Sequence, residues 1–280
     1  MEIIKVESAG FCFGVKRAVK KAIEASEKFK GSKIYTIGPI IHNNDVVRDL
    51  EERGVEVAKN FNIKNSVVIL RSHGVEKDIL EKLKKNNNII IDAICPYVKK
   101  IHKCVEELKK ENYFIVIIGD KNHPEVKAIA SYAGESFYKI ISNENEINDF
   151  FKDIKKIGIV AQTTQSVENY LNICNKLLVN KGEFRIFNTI CDSTSIRQKE
   201  TIEVAKQVDC MIVIGGKHSA NTKRLFELSK EILDNVYFIE SEKDLDLNLI
   251  KNKQKIGITA GASTPENIIE GVVEKIRGLK

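Results

Sequence analysis

IVIIGDKNHPEV, from Ile115 to Val126, holds the signals that decide the fold. Its opening β-branched run reads as a buried strand. Glycine and polar residues then turn the chain, and Pro124 in a first helical turn opens a helix. Two other stretches share the layout: IYTIGPIIHNN (34–44) and MIVIGGKHSAN (211–221). In all three, Ile-Gly is followed four positions after the glycine by a polar residue: His42, His123 and Ser219.

Working outward, each stretch is preceded by a cysteine at a strand-to-helix junction: VESAGFCFGVKRAV holds Cys12, IDAICPYVKK holds Cys95 and NTICDSTSIRQ holds Cys191. The polar residues lie 30, 28 and 28 positions after these cysteines. Downstream, a second strand and loop follow in each repeat: VVILRSHGVEKDI, IGIVAQTTQSVEN and IGITAGASTPENI, offering His73, Thr163 and Ser263 at offsets of 61, 68 and 72. A third strand leads into the next cysteine in NNIIIDAI and FRIFNTI, and the N-terminal EIIKVES supplies it for the last repeat. A self-similar period of this kind predicts three α/β domains: 13–95, 96–190, and 191–280 together with 1–12. Short apolar runs alternating with helices predict mostly parallel sheets, with function gathered where strands end and helices begin. Around an approximate threefold axis, the three strand-end faces meet at one central cavity.

The 280 residues carry a net charge of +6, but lysines alternate with glutamates along the helices, which reads as a solvated surface. With no Trp and few aromatics there is no base-stacking platform, so nucleic acid is not an expected partner. No apolar run is long enough for a membrane span and the start lacks a signal-peptide pattern, so a cytoplasmic protein with reduced, catalytic or metal-bound cysteines is expected. No Walker A or GxGxxG motif indicates a nucleotide.

Three thiolates at one point suit an iron–sulfur cluster with one iron open to substrate, or a zinc ion with water as fourth ligand. The first makes a redox enzyme or a sensor; the second makes a hydrolase. Cys104, Cys174 and Cys210 read as structural, His102 as a surface or satisfied histidine, and His218 as a neighbour of the site loop. His42, His73 and His123, with Ser219, Asn221 and Ser263, are hydrogen-bond donors suited to phosphate oxygens at helix N-termini. N-capping alone is the plainer reading for Ser263. Glu125, in the first turn after His123, is a candidate proton donor, and Thr163 a relay or hydroxyl partner.

The motifs GFCFGVKRAV, GPIIHN, SHGV, DAICPYVKK, GDKNHPEV, AQTT, NTICDSTSIRQ and ITAGASTPENI, in this order over nearly the whole chain, resemble the 4-hydroxy-3-methylbut-2-enyl diphosphate reductase family. The resemblance implies a trefoil of three α/β domains around a [4Fe–4S] cluster, which can be isolated as [3Fe–4S]. It implies Cys12, Cys95 and Cys191 as cluster ligands. His42, His73, His123, Thr163, Ser219, Asn221 and Ser263 resemble the substrate contacts, with Glu125, Thr163 and His123 catalytic. Thr194 resembles a contact near the cluster. The implied reaction is reductive dehydroxylation of the diphosphate substrate to isopentenyl and dimethylallyl diphosphates, the last step of the methylerythritol phosphate route. The implied electron donor is ferredoxin or flavodoxin. Where the family often has Ser-Ser-Asn, this chain has Ser219-Ala220-Asn221, so one phosphate hydrogen bond is absent or made by water.

Overall fold

The computed structural model describes residues 1–41, 43–134 and 137–279. His42 therefore lies outside the described residues. The chain divides into two compact units, one of Met1–Lys16, Ile41–Arg48 and Asp192–Lys280, the other of Arg17–Ile40 and Asp49–Cys191.

The second unit contains two parallel sheets. The first is built from β2 (Ile34–Thr36), β3 (Val55–Val57), β4 (Val67–Leu70) and β5 (Ile89–Asp92), in the order β3-β2-β4-β5. The second holds β6 (Phe114–Ile118), β7 (Tyr138–Ile141), β8 (Lys156–Ala161) and β9 (Glu183–Ile186), in the order β7-β6-β8-β9. Its helices include α3 (Lys77–Lys85), α4 (Pro96–Lys110), α5 (Pro124–Ala133) and α6 (Val167–Leu177). The first unit contains one parallel sheet of β1 (Glu2–Lys5), β10 (Cys210–Ile214), β11 (Val236–Ile239) and β12 (Lys255–Ala260), in the order β1-β12-β10-β11. Its helices are α7 (Asp192–Ala205), α8 (Ala220–Lys230) and α9 (Glu266–Arg277). The helices α1 (Phe13–Lys28) and α2 (Asn44–Glu52) complete the set, and the division between units falls within both.

Numbered along its own repeat, each sheet has the strand order second–first–third–fourth. In the last sheet the fourth place belongs to β1, whose residues Glu2 to Lys5 pair with Lys255 to Ile258 of β12. The N-terminal strand thus completes the C-terminal repeat, as its sequence predicted. The order also reverses direction between the first and third strands of each sheet. Loops leaving two such strands diverge to opposite faces, and ligands of open α/β sheets bind at that switch point.

The sequence predicted three strands per repeat, and the structure has four. The additional ones, β3, β7 and β11, are all second in their repeats and lie at sheet edges. All three are short; β3 is Val-Glu-Val with Glu56 exposed and β7 carries Lys139, while β11 is the apolar Val-Tyr-Phe-Ile. Edge strands need no second apolar partner, and charge on them discourages pairing with another chain. The inner strands carried the signal because both faces are covered. Along β10, Cys210, Ile212 and Ile214 pack toward α9, while Met211 and Val213 pack with Leu225 of α8. Likewise Ile115 and Ile117 of β6 pack with α4 and α5, and Val116 and Ile118 with α6. Among the described residues no helix is long and apolar enough to cross a membrane.

Candidate active site

The loops after β4, β8 and β12 share one hydrogen-bond pattern. The carbonyls of Arg71, Gln162 and Gly261 accept from the amides three residues on, Gly74, Gln165 and Thr264. The next carbonyls, of Ser72, Thr163 and Ala262, accept from the amides of Cys95 (2.9 Å), Cys191 (2.9 Å) and Cys12 (3.4 Å). Each cysteine is therefore pinned by its backbone to the loop of the adjacent strand. The pattern makes His73, Thr164 and Ser263 equivalent. Thr163 matches Ser72 and Ala262, one residue away from the match that spacing implied.

The three cysteines have a common setting. Each immediately precedes a helix, α1, α4 or α7, and is partly exposed, whereas Cys104, Cys174 and Cys210 are buried. Cys95 occupies the N-cap of α4 without a side-chain capping bond. A sulfur there faces the positive end of a helix dipole, which suits an anionic ligand set. Among the described residues no three His, Cys, Asp or Glu side chains stand close enough to hold a metal jointly. The fit to a cluster thus rests on donor chemistry: soft, accessible thiols, each at the same point of a repeat.

Glu125 is the most distinctive side chain of the second unit. It is 1% exposed. Thr163 grips it twice, the amide donating to Oε1 at 2.6 Å and the hydroxyl to Oε2 at 2.7 Å. Burial raises its pKa to about 7, against the lowering effect of both Thr163 bonds. Through its carbonyl, Thr163 also holds the Cys191 amide, so carboxyl and cysteine backbone share one residue.

His123 is the N-cap of α5. Its Nδ1 accepts from the Glu125 amide at 3.2 Å, so in the neutral ring Nε2 carries the proton and donates. The His73 ring meets His123 edge-on at 5.6 Å, joining the loop after β4 to the loop after β6. His73 Nδ1 also lies 3.3 Å from the Ser72 hydroxyl. His102, in contrast, is buried rather than at the surface. It stacks on Tyr132 at 4.2 Å, its Nε2 has no hydrogen-bond partner, and burial lowers its pKa to about 4.

In the first unit, Ser219 caps α8, its hydroxyl accepting from the Thr222 amide at 3.3 Å. Asn43, one residue beyond His42, performs the same task for α2 by accepting from the Val46 amide at 3.0 Å. Asn43 was missed because spacing from the glycine selected His42; the Asn-Asn pair before an apolar helix is the capping signal that would have found it. Asn221, in the first turn of α8, is 5% exposed, and neither its Oδ1 nor its Nδ2 has a partner. Buried amides are rarely left so, which sets Asn221 apart from an ordinary first-turn residue. Ser263 is half-buried, and Thr194 is buried in the first turn of α7.

Sequence reasoning also passed over Arg197 of α7, which is 2% exposed and hydrogen-bonded to the loop before Cys12. Its place in NTICDSTSIRQ gave no sign of burial, since arginine is ordinarily a surface residue.

The LytB protein family matches residues 3–277. The chain is 47% identical over 280 residues to the 4-hydroxy-3-methylbut-2-enyl diphosphate reductase of Geotalea uraniireducens (strain Rf4), covering 100% of this chain and 98% of the relative. It is 46% identical over 278 residues to the enzyme of that name from Geobacter sulfurreducens (strain ATCC 51573 / DSM 12127 / PCA), covering 99% and 97%. A solved structure of (E)-4-hydroxy-3-methyl-but-2-enyl diphosphate reductase, the terminal enzyme of the non-mevalonate pathway, superposes with a TM-score of 0.75 at 42% identity, covering 99% of this chain and 100% of that one. The E-1-hydroxy-2-methyl-but-2-enyl-4-diphosphate reductase from Plasmodium falciparum gives 0.89 at 32% identity, covering 98% and 87%.

Proposed function

The chain belongs to the LytB protein family, and on that premise we propose that it reduces 4-hydroxy-3-methylbut-2-enyl diphosphate to isopentenyl and dimethylallyl diphosphates. It is an oxidoreductase of isoprenoid biosynthesis. The observation that carries the reading is the buried Glu125 carboxyl, held by Thr163 beside the backbone of Cys191. Replacing the allylic hydroxyl by hydrogen takes two electrons and two protons, one leaving in water and one forming the new C–H bond, so the site needs a proton donor active near neutral pH. A carboxyl with a pKa of about 7 is such a donor.

Cys12, Cys95 and Cys191 are the residues that would hold a [4Fe–4S] cluster. When bound, the cluster supplies electrons singly and an iron that acts as a Lewis acid. The remaining work falls to the chain itself. The Nε2–H of His123 and the ring of His73 bind diphosphate oxygens, as do His42, Ser219, Asn221 and Ser263. Glu125 releases its proton toward the departing hydroxyl, and the Thr163 hydroxyl orients that group and passes the proton. Thr194, buried in the first turn of α7, would lie near the cluster. The three repeats 13–95, 96–190 and 191–280 with 1–12 are its domains in this reading. Ferredoxin or flavodoxin brings the electrons, and a cytoplasmic setting keeps the thiols reduced.

The test is anaerobic preparation followed by iron, sulfide and zinc analysis and paramagnetic resonance, before and after adding the diphosphate substrate. Iron and sulfide with a substrate-dependent spectrum are expected. Stoichiometric zinc without sulfide, even after reconstitution, would transfer the site to a hydrolase.

Asn221→Ala offers a separate check. Removing an amide that contacts substrate weakens its binding by about 1–3 kcal/mol, roughly 5- to 150-fold in Kd. The unliganded chain gains or keeps stability, because a buried polar group without a partner is lost. Calorimetric titration and urea unfolding of the same variant read the two opposite signs.

A further inference from the structure

Two arginines outside the proposed catalytic and binding residues hold the backbone leading into two of the cysteines. In the first unit, Arg197 donates Nε to the Ser8 carbonyl at 2.7 Å and Nη2 to the Gly10 carbonyl at 2.8 Å. One helical turn on, Glu200 accepts from the Ser8 amide at 2.9 Å. The loop they grip ends two residues later at Cys12. Gly10 itself has φ +94°, and a Cβ there would lie 3.0 Å from Ile269 and 3.3 Å from the Thr264 carbonyl. The loop therefore passes close to Ile269 and Thr264 while Arg197 holds two of its carbonyls.

The second unit repeats the device with different residues. Arg17 of α1 donates Nη1 to the Ile94 carbonyl at 2.9 Å and Nη2 to the Asp92 carbonyl at 3.3 Å. One turn further along the helix, Lys21 donates Nζ to the same Asp92 carbonyl at 2.8 Å. Lys99 bonds to the Asp92 carboxylate, and Asp92 Oδ1 accepts from the Ile94 amide at 3.1 Å. Ile94 directly precedes Cys95. Arg17 lies five residues after Cys12, and Arg197 six residues after Cys191. Both sit on a helix that begins at one cysteine, and both spend a planar, multi-donor guanidinium on main-chain oxygens before another.

Taking a guanidinium out of water to bind main-chain carbonyls carries a desolvation cost that a surface loop does not ordinarily call for. A demand on loop position accounts for it. We propose that Arg17 and Arg197 are positioning residues for the cysteine ligands, fixing the loops of Cys95 and Cys12 so that an iron–sulfur cluster is captured and retained. The proposal rests on the cluster reading given above.

The test uses the full chain, loaded anaerobically, with Arg197→Gln, Arg197→Lys, Arg17→Gln and, as a control in the exposed turn after α2, Arg53→Gln. Iron and sulfide content, iron release to a ferrous chelator and the paramagnetic-resonance line shape are measured, along with the thermal midpoint of the cluster-free chain. Outer-shell partners typically change metal affinity by about 10- to 100-fold. Arg197→Gln and Arg17→Gln are expected to release iron at least about tenfold faster than the parent. Arg197→Lys should fall between them and the parent, and Arg53→Gln should match the parent. Arg17, half-buried, keeps the test open if Arg197→Gln does not fold. Parent-like release in both Gln variants would overturn the proposal, as would faster release matched by an equal loss of cluster-free stability with no rescue by Lys. A parent chain that takes up no iron and sulfide would instead overturn the cluster reading, and the proposal with it.

Discussion

Glu125→Gln is expected to keep the parent's iron and sulfide content and to bind the diphosphate substrate, yet to lose roughly 10²- to 10⁴-fold in turnover, the usual worth of a positioned acid. Steady-state assays with an artificial one-electron donor, alongside iron analysis, read both halves. The amide preserves shape and keeps an oxygen to accept from Thr163, so the loss isolates the exchangeable proton. The same variant carries a pH signature. Burial raises the Glu125 pKa from 4.5 to about 7, so the fold favours the protonated form. The stability this gives relative to an ionised carboxyl is complete below pH 4.5 and is lost as pH rises through 7. The parent should lose about 3 kcal/mol relative to Glu125→Gln across that window. Urea midpoints for both chains at each end of it measure the difference. Near-parent turnover in the variant would remove Glu125 from the proton path.

Alanine at Cys12, Cys95 or Cys191 has the other large expected effect. Any one of these changes should take iron, sulfide and turnover to background together, because a cluster held by three thiolates does not persist on two. Cys104→Ala, Cys174→Ala and Cys210→Ala should retain all three, with an altered unfolding midpoint only. These three thiols are buried, and desolvation raises the pKa of each, to about 11 for Cys210. Metal analysis and activity on the six variants separate the groups in one experiment. Retention of sulfide and activity in any of the first three would exclude that cysteine as a ligand.

The repeat could be read from the sequence because the inner strands are covered on both faces. Runs such as Ile115–Ile118 and Met211–Ile214 leave no polar position to break the pattern, and glycine marks where each one ends. The second strand of each repeat was not legible. Val55–Val57 and Tyr138–Ile141 are short and half-solvated, and resemble any mixed loop. In the candidate site, residue types at strand ends showed where chemistry could gather, but not register. Thr163 and Ser72 are equivalent through carbonyls that hold cysteine amides, and no spacing encodes a carbonyl. Nor could spacing show that a first-turn acid, common at any helix start, would be nine-tenths or more buried and gripped by one threonine. Arg17 and Arg197 escaped notice for a related reason: their partners are main-chain oxygens, which every residue has.

The pairing of β1 with β12 sets the order in which a newly made chain can finish. As the polypeptide leaves the ribosome, the strands of residues 34–92 and 114–186 find their partners within their own repeats. Residues Glu2–Lys5 must wait for Lys255–Ile258, nearly the whole length of synthesis. Until then the loop that ends at Cys12 also lacks the Ala262 carbonyl that accepts from the Cys12 amide. A chain interrupted before β12 cannot settle that cysteine, however well its earlier repeats have folded. Closing the first strand against β12 thereby ties the setting of Cys12 to a long-range contact, the slowest kind for a chain to find.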